Sequence, residues 1–177
     1  IYGGTEADVI HGGVDESVSG AGSDKADGDD TIYGKAGDDE IYGGDGSDEL
    51  YGGDGTDKVY GGAGDDTINS GIGNDSLYGG TGADTFVFDA ADNQNDIVYA
   101  GNASTDDNEN DLVDYTNAIK GMTINLAEGN AQGTATSQDQ GTDSLYGIEH
   151  VKGSNIESEI ITGNSDINTI YGQAANG

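Results

Sequence analysis

Residues 25–87 consist of seven consecutive nine-residue units: KADGDDTIY (25–33), GKAGDDEIY (34–42), GGDGSDELY (43–51), GGDGTDKVY (52–60), GGAGDDTIN (61–69), SGIGNDSLY (70–78) and GGTGADTFV (79–87). Within a unit, position 4 is always Gly, position 6 is always Asp and position 8 is always a large apolar residue. A period of nine fits neither a helical stripe nor a meander of hairpins. The Gly-rich half of each unit predicts a tight turn. Positions 7 to 9 predict a very short strand whose position-8 side chain points inward.

Two units therefore form one coil, and successive strands belong to opposite sheets. We expect one wall of the core to contain Ile32, Leu50, Ile68 and Phe86, and the other wall to contain Ile41, Val59 and Leu77. Because each unit buries a single apolar side chain, the core is thin. Its burial does not offset the conformational entropy of ordering nine residues.

The composition is strongly acidic, with 35 Asp and Glu against five Lys, no Arg and a formal net charge of −30. Such a chain repels nucleic acid, and it would stay disordered unless a cation neutralised it. No apolar run is long enough for a membrane span, and the absence of Cys excludes disulfides. We expect one domain, or a fragment of a larger protein.

The repeated carboxylates indicate which cation the chain binds. Turns two units apart lie on the same side of the coil, so Asp30 is expected to face Asp48, and Asp39 to face Asp57. Paired carboxylates and the carbonyls of Gly-rich turns form an all-oxygen cage, which favours Ca²⁺ over Mg²⁺ and over soft metals. The predicted carboxylate ligands are Asp30, Asp39, Asp48, Asp57, Asp66, Asp75 and Asp84.

The stretch GGDGSDELYGGDGTDKVYGGAGDDTIN resembles the nonapeptide of the RTX (repeats-in-toxin) family, a hemolysin-type Ca²⁺-binding repeat. The resemblance implies an all-β, right-handed parallel β-roll of two short-stranded sheets with several Ca²⁺ ions in the turns. It also implies turn carbonyls as ligands, at position 4 (Gly28, Gly37, Gly46, Gly55, Gly64, Gly73, Gly82) and at position 2 (Gly44, Gly53, Gly62, Gly71, Gly80). Position 2 departs from Gly at Ala26 and Lys35, which a backbone ligand tolerates.

Three segments are predicted within one continuous domain. Residues 1–24 are degenerate first coils, residues 25–88 the regular roll, and residues 89–177 a degenerate continuation with longer loops at 101–110 and 130–141. The pattern Asp-x-apolar recurs outside the regular units, with a weakened copy at Asn168 and Ile170. It gives four weaker metal candidates, Asp8, Asp96, Asp111 and Asp143.

Outward Tyr residues occupy position 9 of most units. They are interpreted first as cross-strand ladders that stabilise short strands, and alternatively as a surface for a polysaccharide or a cell-surface protein. That candidate partner surface consists of Tyr33, Tyr42, Tyr51, Tyr60 and Tyr78.

Catalysis within this chain is not expected. His11 and His150 are isolated, and there is no HExxH or GxSxG motif and no Cys nucleophile. The resemblance implies a Ca²⁺-binding module that folds outside a bacterial cell after type I secretion. Two alternatives are an adhesin, surface-layer or polysaccharide-binding module that uses the Tyr ladders, and the C-terminal accessory region of a secreted enzyme or toxin. The expected location is extracellular or at the cell surface, and the expected partners are Ca²⁺ and neighbouring domains of the parent chain.

Overall fold

The computed structural model of this chain describes residues 1–2, 9–11, 28–89, 94–101, 110–118, 123–126, 132–137, 141–154, 160–163 and 168–171. These residues form no helix. Their strands are β1 (Val9–His11), β2 (Thr31–Ala36), β3 (Glu40–Asp45), β4 (Glu49–Asp54), β5 (Lys58–Ala63), β6 (Thr67–Ile72), β7 (Ser76–Thr81), β8 (Thr85–Val87), β9 (Ile97–Gly101), β10 (Leu112–Asp114), β11 (Thr123–Asn125), β12 (Gly133–Ser137), β13 (Gly141–Tyr146), β14 (His150–Lys152), β15 (Ile160–Thr162) and β16 (Ile170–Tyr171).

Successive strands of the regular units alternate between two sheets, so each sheet pairs strands that are two units apart. One sheet has the order β1-β3-β5-β7-β9-β13-β12-β11-β15, and the other has the order β16-β14-β10-β8-β6-β4-β2. In the regular units the pairing is parallel and in perfect phase with the repeat, with Ile32 beside Leu50 and Ile41 beside Val59. The predicted all-β parallel roll is therefore confirmed.

The core is a single stack of position-8 side chains between the two sheets. Both predicted walls are present, and every member is fully buried. The stack continues beyond the regular units, because Val98 lies beside Leu77 and Val113 lies beside Phe86. Two of the weakened Asp-x-apolar copies, Asp96/Val98 and Asp111/Val113, thus precede or contain strands that pair with the regular roll. The segment boundaries at residues 24 and 88 stay a prediction.

The strands are longer than the three residues expected. β2 to β7 each span six residues, from position 7 to position 3 of the next unit. Pairing continues across the glycines, as with Gly44 beside Gly62. Small residues at positions 1 and 2 allow this close approach of two backbones, which the prediction of a turn at these positions did not consider.

One segment departs from the regular parallel arrangement. The sequence predicts an irregular loop over 130–141, but β12 lies within it and pairs antiparallel with both β11 and β13. Thr and Ser alternate with buried small residues in GTATS, and this period of two favours a strand. Most of the other predicted loop, 102–109, lies outside the described residues, as does Asp8.

Candidate metal-binding site

The repeat places position-6 carboxylates in two columns along the roll. Position 8 must point into the core, and position 6, two residues earlier on the same face, therefore points inward at the end of the turn. We call the two columns the first and second turn rows. The first turn row contains Asp39, Asp57, Asp75, Asp96 and Asp143. The second turn row contains Asp30, Asp48, Asp66, Asp84, Asp111 and Glu149.

Hydrogen bonds connect neighbouring members of each row. The backbone N–H of each carboxylate residue donates to one carboxylate oxygen of the next member, over 2.7 to 3.1 Å. Asp48, for example, donates to Oδ1 of Asp66 at 2.8 Å. Each row is therefore a continuous ladder in which the side chain of one coil satisfies the backbone of the coil before it.

The second carboxylate oxygen is the notable atom of these rows. In Asp57 and Asp66, Oδ2 is buried and has no hydrogen-bond partner among the described residues. Burial raises the pKa of Asp57 to about 6 and that of Asp66 to about 7, although the backbone N–H donated to each carboxylate opposes the shift. Neighbouring carboxylates raise both pKa values further. A buried, negatively charged oxygen without a donor is costly, and a cation would remove that cost.

Backbone carbonyls crowd the same turns. A Cβ atom on Gly61 would overlap Oδ2 of Asp66 and would lie 2.6 Å from the carbonyl oxygen of Gly79. A Cβ atom on Gly62 would overlap the carbonyl oxygen of Gly44. Glycine at positions 1 and 2 thus lets carboxylate and carbonyl oxygens approach the backbone more closely than a side chain would allow. Positions 2 and 4 also favour glycine because their φ angles lie between +94° and +156° wherever Gly occupies them in units 34–87.

These donors fit a hard divalent cation. Among the described residues, no three Asp, Glu, His or Cys side chains come together as a metal-binding group. Carboxylates alone therefore do not complete a site, and turn carbonyls have to supply the other ligands. Oxygen donors of this mixed kind suit Ca²⁺, which takes six to eight oxygens with flexible geometry.

A comparison with protein-family models identifies the repeat. The RTX calcium-binding nonapeptide repeat (4 copies) matches residues 1–25, 26–59, 51–86, 60–94 and 155–176, which together are more than half of the chain. The chain belongs to the RTX calcium-binding nonapeptide repeat family. A search of curated proteins gave no match. RTX repeats are structural calcium-binding modules rather than catalytic ones, and Ca²⁺ is the ion that they imply.

The RTX family match covers the predicted site residues of the regular units but not Asp96, Asp111 or Asp143. The structure shows where these residues lie. All seven position-6 Asp residues of the regular units lie in the turn rows, and so do three of the four weaker candidates, Asp96, Asp111 and Asp143. The glycines predicted as carbonyl ligands lie in the turns beside them. Their individual roles as ligands stay a prediction.

Two features of the turns were not predicted from the sequence. Glu149 ends the second turn row, where its Oε2 accepts the backbone N–H of Asp111 at 2.9 Å. The spacing Glu149-x-Val151 was the available signal, although Glu stands there where the repeat has Asp and the turn before it is shorter than a nonapeptide turn. Position 5 forms a further, exposed ladder in which a side-chain oxygen accepts the position-5 N–H of the next coil; its acceptors are Asp29, Asp38, Asp65, Asn74 and Asn95. The repeated doublet Asp-Asp was its signal.

The Tyr residues form stacked ladders on the outward faces, as the first interpretation expected. On one sheet, the Tyr42, Tyr60, Tyr78, Tyr99 and Tyr146 rings follow one another with centroids 4.7 to 5.1 Å apart and nearly parallel planes. On the other sheet, Tyr33 stacks between Tyr2 and Tyr51. Neighbouring rings cover both faces of each interior ring, so a partner would meet ring edges and hydroxyl groups. A role of these residues in partner binding stays a prediction.

Proposed function

We propose that this chain is a Ca²⁺-responsive folding module of an exported bacterial protein, which stays extended before export and folds where Ca²⁺ is abundant. The observation that carries the proposal is the pair of turn rows, which brings eleven carboxylates into two stacked columns beneath the turns. Columns of like charge at this spacing repel one another. When bound, Ca²⁺ would supply the positive charge that the columns lack.

The thin core supports the same conclusion. Each regular coil buries only one apolar side chain per strand. At nearly every turn it also buries a position-6 carboxylate, which opposes folding. Lys is scarce, and the ion pair of Lys152 with Asp114, at 2.9 Å, does not involve a carboxylate of the turn rows. The backbone N–H groups that donate to the rows carry no net charge, so they do not neutralise the carboxylates.

Export and an extracellular or cell-surface location follow in this proposal from family membership. RTX repeats occur in proteins exported by type I secretion. The part of the chain that the structure describes contains no helix that is long and apolar enough to cross a membrane. Without bound cations, a chain of net charge −30 remains extended, and millimolar Ca²⁺ outside the cell would then provide the folding free energy.

The test is circular dichroism of the whole chain during titration with Ca²⁺ after treatment with a chelating resin. We expect a cooperative gain of β-signal with Ca²⁺ and no comparable gain with the same concentration of Mg²⁺. A stripped protein that keeps its β-signal and its melting temperature would refute the proposal.

A second candidate function is a binding module for an uncharged extracellular polysaccharide. Strands β5, β7 and β9, like most strands of the roll, contain no acidic residue. An apolar groove runs along them between Tyr60, Tyr78 and Tyr99 and a floor of Gly62 and Gly80. This function is tested by comparing the glycan-array binding of wild type with that of the Tyr42→Ala and Tyr60→Ala variants. Unchanged binding in both variants would exclude the Tyr ladder as the contact surface.

A further inference from the structure

Position 1 changes in size along the first turn row. Its occupants, in order, are Gly34, Gly52, Ser70, Phe88 and Tyr115, and all of them are buried. In the first four coils each residue precedes the position-6 carboxylate just before the next strand, whereas β11 and β12 intervene between Tyr115 and Asp143. Position 1 therefore carries no side chain in the first two coils and an aromatic ring in the last two.

In the Gly52 coil, position 1 adjoins a carboxylate oxygen that has no hydrogen-bond partner among the described residues. A Cβ atom on Gly52 would lie 2.7 Å from Oδ2 of Asp57. That oxygen is buried and accepts no hydrogen bond from the described residues. A cation bound in this coil would satisfy this oxygen.

Tyr115 alters the same arrangement at the end of the row. Its hydroxyl donates to Oδ2 of Asp143 at 2.7 Å, and Oδ1 of Asp143 accepts the backbone N–H of Asp96 at 3.1 Å. The Tyr115 side chain is fully buried, and its ring stacks on Phe88 with centroids 4.6 Å apart. Both oxygens of the last carboxylate thus have protein donors, and two aromatic rings fill the adjoining volume.

We propose that the Tyr115 hydroxyl takes the place of a cation at Asp143, so that the first turn row ends in a coil closed by the protein itself. This inference rests on the proposed function, because it assumes that the glycine coils hold Ca²⁺. A buried phenol satisfies a carboxylate oxygen without adding charge. The stacked rings add apolar burial where the regular core offers one side chain per strand. Asp143 is then a structural acceptor rather than a metal ligand.

The test counts bound Ca²⁺ by equilibrium dialysis and metal analysis in wild type, Asp57→Asn and Asp143→Asn. Both substitutions remove one buried carboxylate from the first turn row. We expect fewer ions per chain in Asp57→Asn and the wild-type number in Asp143→Asn. An equal loss in the two variants would overturn the inference while leaving the proposed function intact. Wild type that binds no Ca²⁺ would instead refute the proposed function.

Tyr115→Phe provides a second measurement that does not depend on the Asp143 variant folding. The variant keeps the ring and removes the hydroxyl donor. Oδ2 of Asp143 then stays buried but loses the hydrogen bond from Tyr115. In saturating Ca²⁺ we expect an unchanged ion count and a clear fall in melting temperature. The matched control is Tyr60→Phe, which removes a hydroxyl from the outward ladder. Equal melting temperatures for the two variants would show that the Tyr115 hydroxyl does not stabilise this coil.

Discussion

The backbone N–H of Asp48 donates to Oδ1 of Asp66, 2.8 Å away in the next coil, while Oδ2 of the same carboxylate is buried without a hydrogen-bond partner among the described residues. One oxygen thus aligns two coils and the other faces the turn interior. Because the hydrogen bond from a backbone N–H to a carboxylate of the next coil repeats along both turn rows, the carboxylates align the strands and also bring like charges together. Cation binding would relieve the resulting repulsion.

Asp66→Asn is expected to weaken the Ca²⁺ response. The amide keeps an oxygen for the Asp48 N–H but lacks the negative charge that attracts a cation. The Ca²⁺ midpoint of folding, followed by circular dichroism, should rise roughly tenfold or more, which corresponds to about 1.4 kcal/mol. The control is Asp54→Asn, which removes the same charge from an exposed position-3 side chain. Equal midpoints in the two variants would mean that net charge, rather than the turn row, governs the response.

Acid is expected to favour folding of the Ca²⁺-free chain. The folded-state pKa values of Asp57, about 6, and Asp66, about 7, lie above the ordinary value of 3.8. The folded state therefore binds more protons, and this contribution to stability is complete below pH 3.8 and is lost as the pH rises through 6 and 7. Resin-stripped protein should show more β-signal at pH 5 than at pH 7.5.

The control for this pH effect is the Asp57→Asn/Asp66→Asn double variant. Its two amides cannot titrate, so its dependence on pH between 5 and 7.5 should be weaker than that of wild type. A loss of β-signal on acidification of the stripped wild-type protein would contradict the raised pKa values.

The nine-residue period was sufficient to predict the two sheets, the phase of their pairing and the turn rows of the regular units. Those features depend only on positions 6 and 8, which do not vary in type. The closure at Tyr115 could not be predicted in this way. Between Asp111 and Asp143, the chain inserts two antiparallel strands, so the equivalence of Tyr115 to a position-1 glycine is visible only when the coils are superposed in space. Glu149 escaped for a related reason, because its turn is shorter than the nonapeptide turn.

Gly62→Ala is expected to destabilise the folded module. The φ angle of Gly62 is +125°, and an added Cβ would overlap the carbonyl oxygen of Gly44 in the adjacent coil. The two effects together should lower the free energy of unfolding in Ca²⁺ by roughly 2 kcal/mol or more. Urea denaturation measures the change. Gly28→Ala is the matched control, because a Cβ there meets nothing within 4 Å. A Gly62→Ala variant as stable as Gly28→Ala would be inconsistent with this backbone geometry.

Lys35→Gly is expected to have the opposite effect. Lys35 occupies position 2, and its φ angle of +86° is one that side-chain-bearing residues rarely adopt. Glycine removes this strain but loses more chain entropy on folding, which leaves a net gain of about 0.5 to 1 kcal/mol in the free energy of unfolding. Lys35 also lies over the Tyr2 ring, 5.1 Å from its centroid, so Lys35→Ala serves as the control that removes this contact and keeps the strain. Urea denaturation in Ca²⁺ should rank glycine above lysine and lysine above alanine.

Tyr78→Ala tests whether the outward ladder stabilises the roll. Tyr78 stacks on Tyr60 at 4.7 Å and on Tyr99 at 5.1 Å, so its removal breaks two ring contacts in the middle of the ladder. Each aromatic pair contributes about 0.5 to 1.5 kcal/mol, and the free energy of unfolding in Ca²⁺ should therefore fall by about 1 to 3 kcal/mol. Tyr171→Ala is the control, since Tyr171 is 53% exposed on β16. If both variants unfold at the same urea concentration as wild type, stacking contributes nothing measurable to stability. The regular spacing of these rings would then require another explanation, such as contact with a partner.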